Sequence, residues 1–534
     1  MLWHGWGDPA RATQLAAPVV DLLREALGVR PTARPVKLDD VVLPEPMLSD
    51  AVYDALVAAV AAEHVRTDAE TRIRHTRGKS TPDLLRIRAG EAADAPDAVV
   101  LPGSHAEVIR VLDLCTEHRV AVIPFGGGTS VVGGLAPRLE NAGRARHTGV
   151  IALDLRRMDR LVEIDAESRI ATLEPGLRAP RAEALLREHG FTLGHFPQSY
   201  EWASVGGFAA TRSSGQASTG YGRFDDMVVQ VQVATPSGTL SLGRAPKSAA
   251  GPDLRQLILG SEGAFGVITS LTVQVRPVPE TSTYEGWRFS TFDAGIAAVR
   301  RLDQDGPPLT VLRLSDEAET AVGLAQPDQL TGPSGTIGGD TGCLLIAGYE
   351  GTREGILDRR ESAAVVLRDA DGENLGSEPG EAWARDRFSA PYLRDALLDV
   401  GAFAETLETA TFWSSLSDLY GAVRDALTST LTQLGTPPLV LCHVSHTYPA
   451  GASLYFTVVC TQGEDSVAHW SRAKSAANDA IMNAGGTISH HHGIGTDHRD
   501  WLATEIGPLG VDVLRAIKDR LDPAGILNPG VLIP

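Results

Sequence analysis

The stretch Pro124-Phe-Gly-Gly-Gly-Thr-Ser-Val-Val-Gly-Gly134 decides how the rest of the chain is read. It follows directly on Val120-Ala-Val-Ile-Pro124, an apolar run that predicts a buried strand. Successive glycines let backbone N–H groups converge on an anion with no Cβ in the way, and Thr129 and Ser130 add hydroxyl donors. Such a loop suits a pyrophosphate. It is not a dinucleotide GxGxxG, because Val131 stands where the last glycine belongs, and it lacks the Gly-Lys-[Ser/Thr] ending of a triphosphate-binding loop. A glycine-rich turn with no ligand is the alternative for this loop taken alone.

Upstream, Ala98-Val-Val-Leu-Pro102 predicts another short buried strand, and Ser104 with Glu107 predicts a capping box that opens a helix. Val108, Val111, Leu112 and Cys115 recur at helical spacing, so strand, helix and strand make a βαβ unit. Downstream come short strands at residues 149–155, 161–164, 170–173, 227–235 and 271–275. Before the unit, runs at Pro18–Leu27 and Ser49–Ala62 have helical period. After it, the clearest strands are Cys343–Tyr349 and Leu454–Cys460, and a last helix spans Trp501–Asp522. The mixture defines an α+β protein. Its expected parts are a helical N-terminal segment (1–92), the loop-bearing domain (93–279), a second α+β domain (280–485) and a C-terminal segment (486–534).

The 534 residues carry 48 Lys plus Arg against 67 Asp plus Glu, a net charge of -19, with 43% hydrophobic residues. That hydrophobic share excludes general disorder, and the acidic balance argues against coating nucleic acid, which needs a cationic surface. Cys115, Cys343, Cys442 and Cys460 follow no metal-binding or disulfide spacing, which predicts core residues in a reducing cytoplasm. The start shows no basic-then-apolar signal pattern, and no stretch approaches the ~18 apolar residues of a membrane span.

Two further glycine blocks, Ser204-Val-Gly-Gly-Phe208 leading to Thr211-Arg-Ser-Ser-Gly215, and Glu262-Gly-Ala-Phe-Gly266, imply backbone closely approaching a large ligand. Together with residues 96–135, the block 198–207 and the closing Asp522-Pro-Ala-Gly-Ile-Leu-Asn-Pro-Gly530, they resemble the flavoproteins of the vanillyl-alcohol oxidase type. The resemblance implies a two-part FAD-binding domain with an α+β cap domain for substrate. It implies that FAD contacts Pro124, Phe125, Gly126, Gly127, Gly128, Thr129 and Ser130 in the first block. In the second it implies Gln198, Ser199, Ser204, Gly206, Gly207, Thr211, Ser213 and Ser214. In the third it implies Glu262, Gly263, Gly266, Val267 and Ile268. Some relatives attach the flavin covalently through a histidine in the first loop. This loop has none, so non-covalent FAD is expected.

The other chemistry-bearing motif is Ser489-His-His-His-Gly-Ile-Gly495. On an extended backbone His490 and His492 would share one face and His491 the other, which disfavours a single metal site. Acid/base work is the reading the pattern favours over a metal site or a purely hydrogen-bonded cluster, since histidine titrates near neutrality. In flavin-dependent D-2-hydroxyacid dehydrogenases this place usually reads Glu-His-Gly, and His491 stands where the acid would be. The triple histidine is instead similar to the alkyldihydroxyacetonephosphate synthase family. So are Trp3-His-Gly-Trp-Gly7, Val311-Leu-Arg-Leu314, Ala390-Pro-Tyr-Leu-Arg-Asp395, Glu405-Thr-Leu-Glu-Thr409 and His446-Thr-Tyr-Pro-Ala-Gly451.

That resemblance implies catalytic roles for Tyr448, His490, His491 and His492, with His492 first as base, and substrate contacts from Arg394 and Arg313. No resident metal is expected. It implies a redox-neutral exchange, through a flavin N5 adduct, of the acyl chain of acyl-dihydroxyacetone phosphate for a fatty alcohol. The competing expectation is an FAD-dependent oxidase or dehydrogenase of a D-2-hydroxy acid. The pattern departs from the family at Gln198, where Asp is more usual, and at Ser204, where Thr is. Lipid substrates, a homodimer and a cytoplasmic setting with peripheral membrane contact complete the expectations.

Overall fold

The computed structural model describes residues 1–32, 34–136, 147–323 and 342–534. Its first sheet contains β1 (Val65–Arg66), β2 (Ala98–Val100), β3 (Val120–Phe125) and β4 (Gly149–Asp154) in the order β1-β2-β4-β3. The helix His105–His118 links β2 to β3 as expected. However, β4 lies between them and pairs in parallel with both, so the two strands of the βαβ unit are not neighbours. Strands buried on both faces read as unbroken apolar runs, which is why these were visible in the sequence. Ser104 caps the helix by accepting the Glu107 N–H at 3.2 Å. Glu107 answers to the N–H of Gly103 at 2.7 Å, so the box closes one residue earlier than the motif requires.

The second sheet is antiparallel: β5 (Leu161–Asp165), β6 (Ile170–Leu173), β8 (Val228–Thr235), β9 (Gly238–Leu242) and β10 (Val267–Gln274), in the order β5-β6-β10-β8-β9. A two-stranded pair, β7 (Phe191–Thr192) with β11 (Arg276–Pro277), sits beside it. The third sheet has seven antiparallel strands: β12 (Thr281–Phe289), β13 (Val311–Ser315), β14 (Cys343–Gly351), β15 (Glu373–Gly376), β16 (Ala402–Phe412), β17 (Leu439–Tyr448) and β18 (Gly451–Thr461). Their order is β15-β12-β14-β13-β17-β18-β16. Helices Phe292–Asp305, Arg353–Asp369, Leu416–Gln433 and Ser466–Asn483 bury their apolar stripes against one face of it, forming the largest core. The opposite face is turned toward the glycine blocks. Cys115, Cys343, Cys442 and Cys460 are all buried and unbridged.

The C-terminal segment ties the parts together. The helix expected at Trp501–Asp522 runs Arg499–Leu521 but breaks at Gly507, whose φ of 77° is followed by Pro508, a residue that cannot donate to the preceding turn. Beyond it, Asp522 accepts the N–H groups of Ile526 and Leu527, and the strand-like run meets β3 through Val122 N–H to Ile526 O at 2.8 Å. Asn528 then donates to the carbonyls of Gly134 and Glu262, joining the first and third glycine blocks.

Candidate active site

Between the glycine blocks and the open face of the seven-stranded sheet lies a cavity of about 390 Å³. Every residue expected to hold FAD, in blocks 124–130, 198–214 and 262–268, is in its wall. The glycines are there for close approach. A Cβ at Gly126 would sit 2.5 Å from Ser204 Oγ, and one at Gly127 2.5 Å from the Trp202 carbonyl. Several buried polar atoms in this wall lack protein partners, among them Trp6 Nε1, Gln216 Oε1, Arg313 Nε and Arg387 Nη1. Unpaired buried polar groups are costly, so a wall holding several of them is built for a polar ligand. The residues present therefore fit a large flavin nucleotide.

Several expected flavin contacts have their polar ends engaged within the protein: Ser130, Ser204, Thr211 and Ser213 bond to their own glycine blocks or to His195, and Glu262 and Gln198 reach farther. The Glu262 carboxylate accepts the N–H groups of Ile494 and Gly495 at 2.9 to 3.0 Å, so it anchors the histidine loop to the third glycine block. Burial pushes its pKa up to about 7, against the pull of those two N–H groups. Gln198 donates to the Arg387 carbonyl at 2.9 Å.

The histidine loop is not extended, and this overturns the expectation that His490 and His492 share one face. The loop wraps around Glu408, whose carboxylate accepts the backbone N–H groups of His490 at 2.7 Å, His491 at 3.1 Å and His492 at 2.8 Å, and the Ser489 hydroxyl at 2.7 Å. Burial alone would raise the Glu408 pKa. Attraction to His491, His492 or His490 when one of them is protonated, together with those N–H groups, outweighs burial and holds it well below the usual carboxylate range. His490 Nδ1 lies 2.9 Å from His491 Nδ1, and His490 Nε2 lies 2.5 Å from the Tyr448 hydroxyl. Nitrogens of His446, His490 and His491 lie within 4.8 Å of one another. His491 therefore groups with His490, not against it.

Burial pulls the rings toward the neutral form. His491 is lowered to about 3 and His492 to about 4, in each case chiefly by loss of solvent, with Glu408 opposing. His491, His492, His443 and His446 face the cavity, whereas Tyr448 and His490 stand outside its wall, behind His491. A β-bulge makes this possible: the register of β17 against β18 shifts between Val444 and His446. Without it, His446 would point into the core beneath the sheet. His446 Nε2 faces the Gly215 carbonyl at 2.9 Å, so that nitrogen carries the proton and Nδ1 accepts from Ser445 or Ser453.

Arg313 and Arg394 both reach the wall. Arg313 donates to Glu319 at 2.5 Å, and Glu319 also meets His443 Nδ1 at 2.9 Å. Burial opposes ionisation of Glu319, but His443 and Arg313 bring its pKa down to about 2. Arg394 pairs with Asp395 at 3.1 Å and donates to the Lys79 carbonyl at 2.5 Å. Sequence reading assigned no role to Glu408, Glu262's anchoring, Glu319, His443 or His446. The signal for Glu408 was present inside the quoted Glu405–Thr409 run.

Residues 96–242 match the family described as "FAD binding domain", and residues 278–532 match "FAD linked oxidases, C-terminal domain". With the cavity they enclose, these matches make the chain an FAD-dependent enzyme of the vanillyl-alcohol oxidase type. The alkyldihydroxyacetonephosphate synthase of Dictyostelium discoideum is 34% identical over 499 residues, covering 90% of this chain and 80% of that protein. The synthase of Trypanosoma brucei brucei is 32% identical over 569 residues, covering 100% of this chain and 92% of that one. A solved alkyldihydroxyacetonephosphate synthase superimposes with a TM-score of 0.82 at 30% identity, covering 99% of this chain and 98% of its own. The chain belongs to the alkyldihydroxyacetonephosphate synthase family.

Proposed function

We propose that this enzyme exchanges the acyl chain of acyl-dihydroxyacetone phosphate for a fatty alcohol, releasing a fatty acid and forming an alkyl ether. The observation that carries the reading is the pair of largely buried imidazoles, His491 and His492, in the wall of the FAD cavity, on a loop whose backbone N–H groups converge on the Glu408 carboxylate. FAD, which the three glycine blocks would hold, would supply an electron-accepting ring to a reaction with no net change of oxidation state.

The chain's own residues handle protons and charge. A neutral His492 takes a proton from the carbon that bears the acyloxy group, and Glu408 beneath it stabilises the imidazolium so formed. Tyr448, through His490 and His491, supplies or withdraws a proton at the departing carboxylate and the incoming alcohol. Arg394 pairs with the phosphate. Ala390, Leu393 and Leu397 lie at helical spacing beside Arg394 and give the wall an apolar stripe for an acyl or alkyl chain. Both substrates partition into bilayers, so the reading includes peripheral contact with a membrane from the cytoplasmic side. Among the described residues no helix is long and apolar enough to cross one.

Incubation of the flavin-loaded protein with acyl-dihydroxyacetone phosphate and a long-chain alcohol should give free fatty acid and alkyl ether in equal amounts by mass spectrometry. Fatty acid without ether would mean simple hydrolysis and would defeat the proposal.

A further inference from the structure

The N-terminal run Trp3–Gly7 takes no part in the chemistry above, yet it folds against one end of the cavity. The Leu2 N–H closes it onto the Gly7 carbonyl at 2.7 Å. Gly7 has a φ of 69°, and a Cβ there would enter the Tyr392 ring. The Trp6 N–H donates to the Asp395 carboxylate at 2.5 Å, and the same carboxylate pairs with Arg394. Lys79 closes the circle: its carbonyl accepts from Arg394, and its Nζ donates to the carbonyls of Leu2 at 3.1 Å and Trp3 at 3.2 Å.

Two groups in this arrangement lack what they need. Lys79 is 9% exposed, has only neutral oxygens as partners and makes no ion pair among the described residues. Trp6 is 5% exposed, and its indole Nε1 has no partner. Both line the cavity with Arg394. Asp395 pairs with Arg394, and neither Asp83 nor the cavity-wall Glu405 makes an ion pair with Lys79 among the described residues, which leaves a buried ammonium without a carboxylate partner in a wall that also holds an unused N–H donor. Burial, and next the nearby Arg394, bring Lys79 down to about 8, as a cation without a counter-ion behaves. An entering anion with several acceptor oxygens satisfies both groups at once, the ammonium as a point charge and the indole N–H as a donor, and meets the Arg394 N–H groups that Asp395 and the Lys79 carbonyl leave over.

We infer that Lys79 and Trp6, with Arg394, seat the phosphate of the substrate and set the preference for a phosphorylated over a phosphate-free ketone. The inference rests on the proposed reaction and extends its site to the N-terminal run. The flavin's own pyrophosphate is the other source of the same chemistry, because the Lys79 N–H is bonded to the Ser130 carbonyl of the first glycine block at 2.7 Å. Lys79 Nζ points instead to the Leu2 and Trp3 carbonyls, in the run that is clamped to the Arg394 helix.

The test uses full-length, flavin-loaded Lys79→Met and Trp6→Phe variants. Each is measured for flavin content, for kcat/KM on acyl-dihydroxyacetone phosphate against acyl-dihydroxyacetone, and for calorimetric binding of dihydroxyacetone phosphate. Flavin content should hold while the preference for the phosphorylated substrate falls about 10-fold to 100-fold, the worth of a hydrogen bond to a charged group. Lys79→Arg should restore part of it. An unchanged preference overturns the inference, as does loss of flavin with the preference intact, which would assign Lys79 to the cofactor. If the unsubstituted enzyme makes no ether yet binds dihydroxyacetone phosphate in a Lys79-dependent way, the reaction is misassigned and the phosphate seat stands.

Discussion

The hydroxyl of Tyr448 lies 2.5 Å from Nε2 of His490, which joins the last residue of β17 to the histidine loop. His490 Nδ1 in turn meets His491 Nδ1 at 2.9 Å, and His491 is in the cavity wall. Of two ring nitrogens in contact, one must donate and the other accept, so a tyrosine outside the cavity can exchange a proton with its interior. Tyr448→Phe breaks the first link of that path. We expect it to lose about 100-fold to 10,000-fold in turnover, as does His492→Ala, the range for a general acid or base. Flavin absorbance and melting temperature should stay near those of the unsubstituted enzyme; loss of both together would make the residue structural.

Glu408→Gln tests the loop itself. The carboxylate receives three backbone N–H groups and one hydroxyl, and a glutamine offers one acceptor oxygen while turning an NH₂ toward donors. Breaking a buried charged network of this kind costs about 3 to 5 kcal/mol. Urea unfolding should show that loss together with loss of turnover. A variant of unchanged midpoint would mean that the loop holds its shape without the anion.

Acid stability reports on Glu319. Its folded pKa, about 2, lies below the unfolded value of 4.5, because His443 and Arg313 outweigh its burial. A group depressed in the folded state contributes fully above its unfolded pKa, and the contribution is lost as pH falls from about 4.5 toward about 2. Urea midpoints should therefore decline across that window, and Glu319→Gln should be less stable at neutral pH with a shallower decline. An identical slope in the variant would remove Glu319 from the account.

The flavin should be dissociable, since no histidine lies in the first glycine block. Acid precipitation should leave the yellow colour in the supernatant, and a flavin-bearing peptide in the pellet would contradict this.

What could be read in the sequence was what is local. The glycine blocks and the strand before them announce themselves because backbone approach needs contiguous glycines and a doubly buried strand needs contiguous apolar residues. The insertion of β4 between β2 and β3 is a matter of long-range pairing that no local run encodes. The same holds for the β17 bulge, which exists only in register with β18 and decides that His446 and Tyr448 stand on the side of His443. Glu408 is 82 residues from His490, and only the fold reveals that a lone strand glutamate organises the histidine loop. The error over the faces of the histidines came from assuming an extended backbone where a buried carboxylate draws three consecutive N–H groups to one point. The break at Gly507 and Pro508, by contrast, is a local signal: a glycine free to take positive φ followed by a proline that cannot donate.

The central claim is a redox-neutral exchange, and the most direct measurement is the flavin spectrum under anaerobic conditions. With acyl-dihydroxyacetone phosphate and a fatty alcohol present, ether should accumulate over many turnovers while the oxidised flavin band persists and no dye is reduced, and D-lactate alone should leave the band unchanged. Rapid bleaching by a 2-hydroxy acid, with no ether formed from the lipid pair, would contradict the account.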